Sequence, residues 1–109
     1  MLKSIDFPAE HVKLVLTGLI TQKVLKYNND SLDLMKGMIV PLSFEGEIFK
    51  DYKVEILNIR ITSLNKLSNN DVFLNGFLYK PHFLRYMEDK GFKPDDTIIR
   101  INFRLNKTE

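Results

Sequence analysis

A threonine and a lysine two positions apart are the residues of this sequence best placed for covalent chemistry. Thr21 and Lys23 lie in an alternating segment, 20–27, so their side chains would share one face of a strand. A threonine hydroxyl is inert until a neighbouring base takes its proton, and a lysine can be that base when burial brings its pKa near neutrality. The other interpretation is that Thr21 is an ordinary strand residue and Lys23 a solvated charge. The sequence leaves both open and assigns no other catalytic residue.

Other reactive groups are scarce. The chain contains no cysteine, which excludes a disulfide framework, a thiol nucleophile and a thiolate metal site. His11 and His82 are its two histidines, and neither has acidic residues at metal-ligand spacing. The acidic residues of 45–47 fit a hairpin turn better than a catalytic carboxylate pair. We therefore expect no metal and no cofactor.

The composition is that of one folded domain. Hydrophobic residues make up 44% and charged residues 28% of 109 residues, which predicts a single domain over 1–109. The net charge is only +2, so nucleic-acid binding would require local clustering of the basic residues. Asp6 and Glu10 interrupt the region where a signal peptide has its apolar run, and no stretch approaches the roughly 20 apolar residues that span a bilayer. A cytoplasmic protein with no membrane partner is expected.

Hydrophobic periodicity and turn residues predict an α+β protein. The predicted elements are a helix over 8–17, strands over 20–27, 38–44, 52–64 and 97–105, and two short helices after Ser68 and Lys80. Asp6 would cap the first helix, and Pro41 places its strand at an edge or at a bulge because it cannot donate a hydrogen bond. The long third strand changes phase near Ile56 and Leu57, which predicts a β-bulge. Long connections between curved strands favour a small mixed barrel.

Three stretches, in their order and spacing, resemble the ASCH domain family of the PUA-like fold. The first is GLITQKV at 18–24, after the first helix, where the family shows a glycine, then Lys-Thr, one residue and Thr. The second is LSNND at 67–71 with Gly-Phe at 76–77, before the last helix. The third is DDTIIRINF at 95–103, which resembles the closing strand. The resemblance covers nearly the whole chain and implies a small PUA-like mixed β-barrel with short flanking helices.

The resemblance also implies a cleft between the barrel and its helices, with the segment after Gly18 facing the one around Gly76. The residues that would project into this cleft are Thr21, Lys23, Lys26, Gly76, Phe77, Lys80, His82 and Arg85. Their basic side chains would hold phosphates while Phe77 or Tyr79 stacks on an unstacked base, a combination suited to RNA or a nucleotide. The alternative is a set of solvated charges around a core phenylalanine. A second basic patch would form if Arg60, Arg100 and Arg104 lie on neighbouring strands.

The family's catalytic pattern is not preserved. Members similar to the bacterial N4-acetylcytidine amidohydrolase use a lysine, a threonine and a glutamate, and the resemblance places Ile20, Lys23 and Asn75 at or near those positions. The first expectation is therefore a non-catalytic RNA-binding or nucleotide-binding module. Two alternatives stay open: an amidohydrolase acting on a modified nucleoside through Thr21 and Lys23, and a small regulatory or inhibitory protein that binds another protein.

Overall fold

The computed structural model describes residues 4–28 and 31–108. Within them lie five strands: β1 (Ile5–Phe7), β2 (Gln22–Lys26), β3 (Ile39–Phe44), β4 (Glu47–Ser63) and β5 (Thr97–Lys107). The helices are α1 (Val12–Leu16), α2 (Asn69–Leu74) and α3 (Lys80–Asp89). Single 3-10 turns cover Ala9–His11, Ser31–Asp33 and Leu64–Lys66. The expected α+β class is confirmed.

The five strands form one mixed sheet in the order β1-β3-β4-β5-β2. β1 runs parallel to β3, and the other neighbouring pairs are antiparallel. The two edge strands approach each other, as shown by Lys23 Nζ of β2, which lies 4.8 Å from the centre of the Phe7 ring of β1. The sheet is therefore curled into a half-barrel that is open between β1 and β2.

Two irregularities produce this curl. Ile56 pairs with Phe103 and Asn58 with Asn102, so Leu57 is an extra residue and the predicted bulge is confirmed. The register of β3 also shifts directly after Pro41, as expected for a residue without an N–H group. Such irregularities bend and twist a strand, which turns a flat sheet toward a barrel.

The beginning of the chain differs from the sequence-based expectation. Asp6 is not a helix cap, because it lies in β1, a strand that the sequence pattern did not predict. Its Oδ1 accepts hydrogen bonds from Ser43 Oγ at 2.6 Å and from the Gly46 backbone N–H at 2.8 Å. The predicted first helix is instead a 3-10 turn followed by α1. β4 is also longer than predicted, since it begins at Glu47 and forms a tight hairpin with β3.

Two hydrophobic clusters hold these elements together. The inside of the curled sheet buries a cluster that includes Ile5, Leu42, Ile56 and Ile101, each fully buried. The helices α2 and α3 cover a second cluster, of Val24, Leu64, Leu67, Val72, Phe83, Met87 and Ile98. A fully buried side chain of this size contributes about 1.5–3 kcal/mol, so the helices are fixed against the sheet.

Local signals set the ends of the two later helices as predicted. Ser68 Oγ accepts from the Asp71 backbone N–H at 3.1 Å, and Asp71 Oδ2 accepts from the Ser68 backbone N–H at 2.9 Å, a complete capping box for α2. Pro81 lies in the first turn of α3, and Gly91 follows its end with φ at +93°. Among the described residues, the longest helix is too short and too polar to cross a membrane.

Candidate functional site

A cleft of about 370 Å³ lies at the opening of the curled sheet. Its walls come from β1 and the turn after it, from β2, and from the end of α2 through α3. Because β1 and β2 are the two edges of the sheet, strand pairing leaves this gap, and α3 lines one side of it. The cleft therefore lies between the sheet and the helices, where the family resemblance places one.

The two segments expected to face each other do so. The Thr21 backbone N–H donates to the Leu74 carbonyl at 3.0 Å. Gly76 has a φ of +91°, and a Cβ at this position would lie only 3.0 Å from Ile20 Cγ1. A side chain here would meet backbone strain and a contact tight enough to displace the Ile20 side chain. The end of α2 is thus packed directly against the start of β2, and this expectation is confirmed.

Lys23 lines the cleft, and its side chain reaches from β2 toward β1. Its Nζ lies over the Phe7 ring, at 4.8 Å from the ring centre, where the negative face of the ring attracts a cation. The Phe7 ring is itself fixed by Phe103 at 5.6 Å and Phe44 at 6.2 Å, measured between ring centres. A rigid aromatic surface therefore positions the ammonium group inside the cleft.

The electrostatics of the cleft disfavour the charge on Lys23. Burial lowers its pKa to about 8; the carboxylate of Asp6 opposes this shift, and the charge of Lys90 adds to it. Burial also lowers the pKa of His11, which Glu10 raises while Lys23 and Lys90 lower it further. Removing a cation from water costs free energy unless a counter-charge compensates for it. An incoming anion would therefore favour the charged form of Lys23.

Aromatic rings form the wall opposite β2. The ring of Phe77 lies 5.4 Å from that of Phe83 and 5.1 Å from that of Tyr86, between centres. Burial raises the pKa of Tyr86, and Glu10 adds to the effect, so its hydroxyl is a neutral donor at physiological pH. At the far end, Lys26 Nζ lies 5.2 Å from the centre of the Phe92 ring. Such a wall is suited to a flat, apolar-faced ligand.

Amide side chains form a polar end of the cleft. Gln22, which is 1% exposed, donates through Nε2 to Asp71 Oδ1 at 3.0 Å and to Asn102 Oδ1 at 2.8 Å. Its Oε1 accepts from Asn75 Nδ2 at 2.6 Å. Gln22 and Asn75 line the cleft. These amides satisfy one another and so have fixed orientations.

Asp71 is the anionic centre of this network. Burial disfavours its ionised form, but hydrogen bonds from Gln22 and Ser68 and the charge of Arg100 outweigh burial and lower its pKa. Arg100 Nη1 lies 3.4 Å from Asp71 Oδ1, and its Nη2 donates to Asn58 Oδ1 at 2.9 Å. The carboxylate is therefore a structural anion that ties α2 to β2 and β5.

Three of the residues expected from the sequence to bind a ligand line this cleft: Lys23, Lys26 and Phe77. Thr21 does not. It lines a second cavity with Tyr52 and Phe103. The structure therefore gives no shared cleft to the Thr21–Lys23 pair considered as a catalytic alternative.

The expected residues of α3 also lie outside the cleft. Lys80 Nζ donates to the Asn65 carbonyl at 2.6 Å. His82 is exposed and packs edge-on against Tyr79, with ring centres 5.6 Å apart. Arg85 is exposed. Helical periodicity explains why these residues lie outside the cleft. The face of α3 that lines the cleft carries residues spaced three or four positions apart, at 83, 86, 87 and 90.

Several cleft residues were missed from the sequence. They are Phe7, His11, Tyr86, Lys90 and Phe92, together with the amides Gln22 and Asn75. Tyr86 and Lys90 are four positions apart and continue the apolar face of α3, a signal that could have identified them. Phe7 and His11 carried no such signal, because their placement depends on the unpredicted strand β1.

The predicted second basic patch is largely neutralised. Arg60 and Arg100 are cross-strand partners, but Arg100 is paired with Asp71. Arg104 Nη2 lies 3.1 Å from Glu55 Oε1. A hydrogen bond from Asn106, followed by the hydrogen bond and charge of Arg104, holds the pKa of Glu55 below its usual value.

Comparison with known proteins identifies the fold. No protein-family model matches the chain, and no curated protein matches it. Solved structures do. The hypothetical protein PH0355 has a TM-score of 0.72 at 18% identity, over 93% of this chain and 95% of its own. Protein EF3133 from Enterococcus faecalis V583, of the family DUF984, has a TM-score of 0.63 at 16% identity, over 87% of this chain and 66% of its own. An ASCH domain from Lactobacillus crispatus JV V101 has a TM-score of 0.58 at 15% identity, over 88% of this chain and 70% of its own.

Three residues of this chain take the places that the sequence resemblance aligned with a catalytic pattern. The same cleft is lined by the residues that the resemblance aligned with a lysine, a threonine and a glutamate, namely Ile20, Lys23 and Asn75. Each differs in chemistry from the residue that the pattern requires at its position. The chain has an ASCH-like fold, a small α+β fold of the PUA-like type.

Proposed function

We propose that this chain is a non-catalytic module that binds RNA or a nucleotide in the cleft between its edge strands and α3. The observation that carries the proposal is Lys23, a cation held over Phe7 inside a cleft with an aromatic wall. The cation can bind a phosphate while the aromatic faces beside it stack on a base. The likeness to an ASCH domain supports the fold in which this cleft occurs.

The size of the cleft favours one nucleotide over a stacked run. Its volume of about 370 Å³ lies near the lower end of the roughly 300–1,000 Å³ that small-molecule sites occupy. The aromatic wall around Phe77 and Tyr86 suits a single unstacked base. A double helix would not fit, since its bases are stacked and its edges are paired.

No reaction is assigned to the cleft. Ile20 has no group that can transfer a proton. Asn75 donates through Nδ2 to Gln22 Oε1 at 2.6 Å and to the Asp71 carbonyl at 2.9 Å, so its amide serves the structure. Of the three residues at the family's positions, only Lys23 offers a base, and the threonine that would need one lines a different cavity.

Titration of labelled single-stranded RNA, at about 50 mM and about 200 mM salt, tests the proposal. We expect saturable binding that weakens as salt rises, because phosphate contacts release counterions. Unlabelled nucleoside monophosphates should compete, whereas duplex RNA should compete poorly. Arg85→Met, which removes an exposed charge outside the cleft, should bind like the wild type. The proposal is wrong if no RNA or nucleotide binds, or if binding is indifferent to salt.

A further inference from the structure

Three basic nitrogen groups from three different elements converge in the cleft. Lys23 comes from β2, Lys90 follows the end of α3, and His11 lies in the turn before α1. They are close enough to influence one another, since Lys90 lowers the pKa of both Lys23 and His11, and Lys23 also lowers that of His11. Like charges placed together in a partly buried cleft repel each other, so an anion would relieve the repulsion.

Aromatic contacts, and not ion pairs, hold the two lysines of this trio among the described residues. Within residues 4–28 and 31–108, neither lysine forms an ion pair. Their ammonium groups face aromatic rings instead, Lys23 over Phe7 at 4.8 Å and Lys90 over Tyr86 at 5.3 Å. Cation–π contact positions a lysine without cancelling its charge.

Three acidic residues lie near the trio, and one of them has other hydrogen-bond partners. Asp6, which influences Lys23, accepts hydrogen bonds from Ser43 Oγ and the Gly46 N–H. Glu45 lines the cleft from the β3–β4 turn, and Glu10 acts on His11. The charges facing the trio are thus Asp6, Glu10 and Glu45, with Lys26 farther along β2. Basic groups from three elements remain available to a ligand.

We propose that the cleft selects a terminal phosphate monoester, either of a nucleoside monophosphate or of an RNA end, over an internal phosphodiester. This inference rests on the proposed function and names its ligand class. A monoester carries about −1.5 to −2 charges at pH 7 and three acceptor oxygens, which can accept from Lys23, Lys90 and His11 together. An internal diester carries a single charge and has a chain continuing on both sides. A cleft of about 370 Å³ gives room for one nucleotide and one end.

Binding of this ligand is coupled to protons. A bound anion stabilises the charged forms of Lys23 and His11, and so raises their pKa values from the lowered values of the empty cleft. Protons are therefore taken up on binding near neutral pH. Affinity falls as the pH rises through about 8, where Lys23 of the free protein loses its proton.

Three single-stranded RNAs of one sequence test this inference: one with a 5′-phosphate, one with a 3′-phosphate and one with hydroxyls at both ends. Nucleosides are compared with their monophosphates in parallel. We expect one of the phosphorylated RNAs, or the free monophosphate, to bind at least about ten times more tightly than its unphosphorylated counterpart. The gain comes from the added charge-assisted hydrogen bonds. Lys90→Met should abolish the preference, whereas Lys53→Met, an exposed residue of β4, should preserve it. Calorimetry in buffers of different ionisation enthalpy should show proton uptake.

The outcomes separate the two proposals. Equal affinity for all three RNAs, with nucleosides equal to monophosphates, overturns the terminal-phosphate inference and leaves RNA binding intact. A preference that survives in Lys90→Met also overturns it, because the trio would then not be its source. Absence of binding by every RNA and every nucleotide overturns both proposals.

Discussion

Replacing Lys23 with methionine is expected to lower the affinity for short single-stranded RNA by about 30-fold, because a hydrogen bond to a charged group contributes about 1.5–3 kcal/mol. Methionine keeps the length and apolar stem of lysine, so it can still pack on Phe7. The measurement is fluorescence anisotropy at low salt. Lys53→Met makes the same change at an exposed position of β4 and should retain wild-type affinity. Equal losses in the two variants would show that overall charge, and not the cleft, governs binding.

The same Lys23→Met variant is expected to be more stable than the wild type by about 2 kcal/mol at pH 7. One pKa unit corresponds to about 1.4 kcal/mol, so a fall from 10.5 to about 8 corresponds to roughly 3 kcal/mol of charge burial, from which about 1 kcal/mol of cation–π attraction is subtracted. Denaturant unfolding of both proteins measures the difference. A functional residue that costs stability is common in binding sites.

The pH dependence of this difference has a definite sign. Below about pH 8, Lys23 is protonated in both the folded and the unfolded state, and the folded state bears the full cost of the buried charge. Between about 8 and 10.5, the unfolded state binds more protons, so wild-type stability rises with pH relative to the variant. The stability gap should therefore shrink by pH 10. A gap that is constant from pH 7 to pH 10, or a less stable variant, would contradict the burial of this ammonium group.

The sequence predicted the fold well where the signal is local. The capping box of Ser68 and Asp71, the end of α3 at Gly91 and the bulge at Leu57 each follow from residue types or from a change of phase within a few positions. β1 was missed because three residues are too few for a periodic pattern. The pairing of β1 with β3 depends on the arrangement of the whole sheet, and a local sequence pattern does not predict it.

The site was predicted in part for the same reason. Family resemblance placed the cleft and included Lys23, Lys26 and Phe77, which line it. It also included Lys80 and Arg85, which the periodicity of α3 directs elsewhere. Which residues converge depends on long-range contacts, such as the approach of the two sheet edges, and these arise only when the sheet curls.

The hydrogen-bond network around Gln22 shows another limit of prediction from the sequence. Gln22 lies in an alternating strand, where a polar residue is expected to face solvent. It is instead 1% exposed, because Asp71, Asn75 and Asn102 supply its hydrogen bonds. A buried amide of this kind is recognised only once its partners are brought together by the tertiary fold.

Mapping amide chemical shifts of the isotope-labelled protein during titration with a short single-stranded RNA tests the central claim most directly. We predict that the shifts concentrate on the amides of Phe7, Lys23 and Phe77, on the three sides of the opening, while those of Lys80 and Arg85 stay in place. Shifts centred on the exposed face of β4 around Arg60, with the three cleft amides unchanged, would contradict a ligand held between β1, β2 and α3.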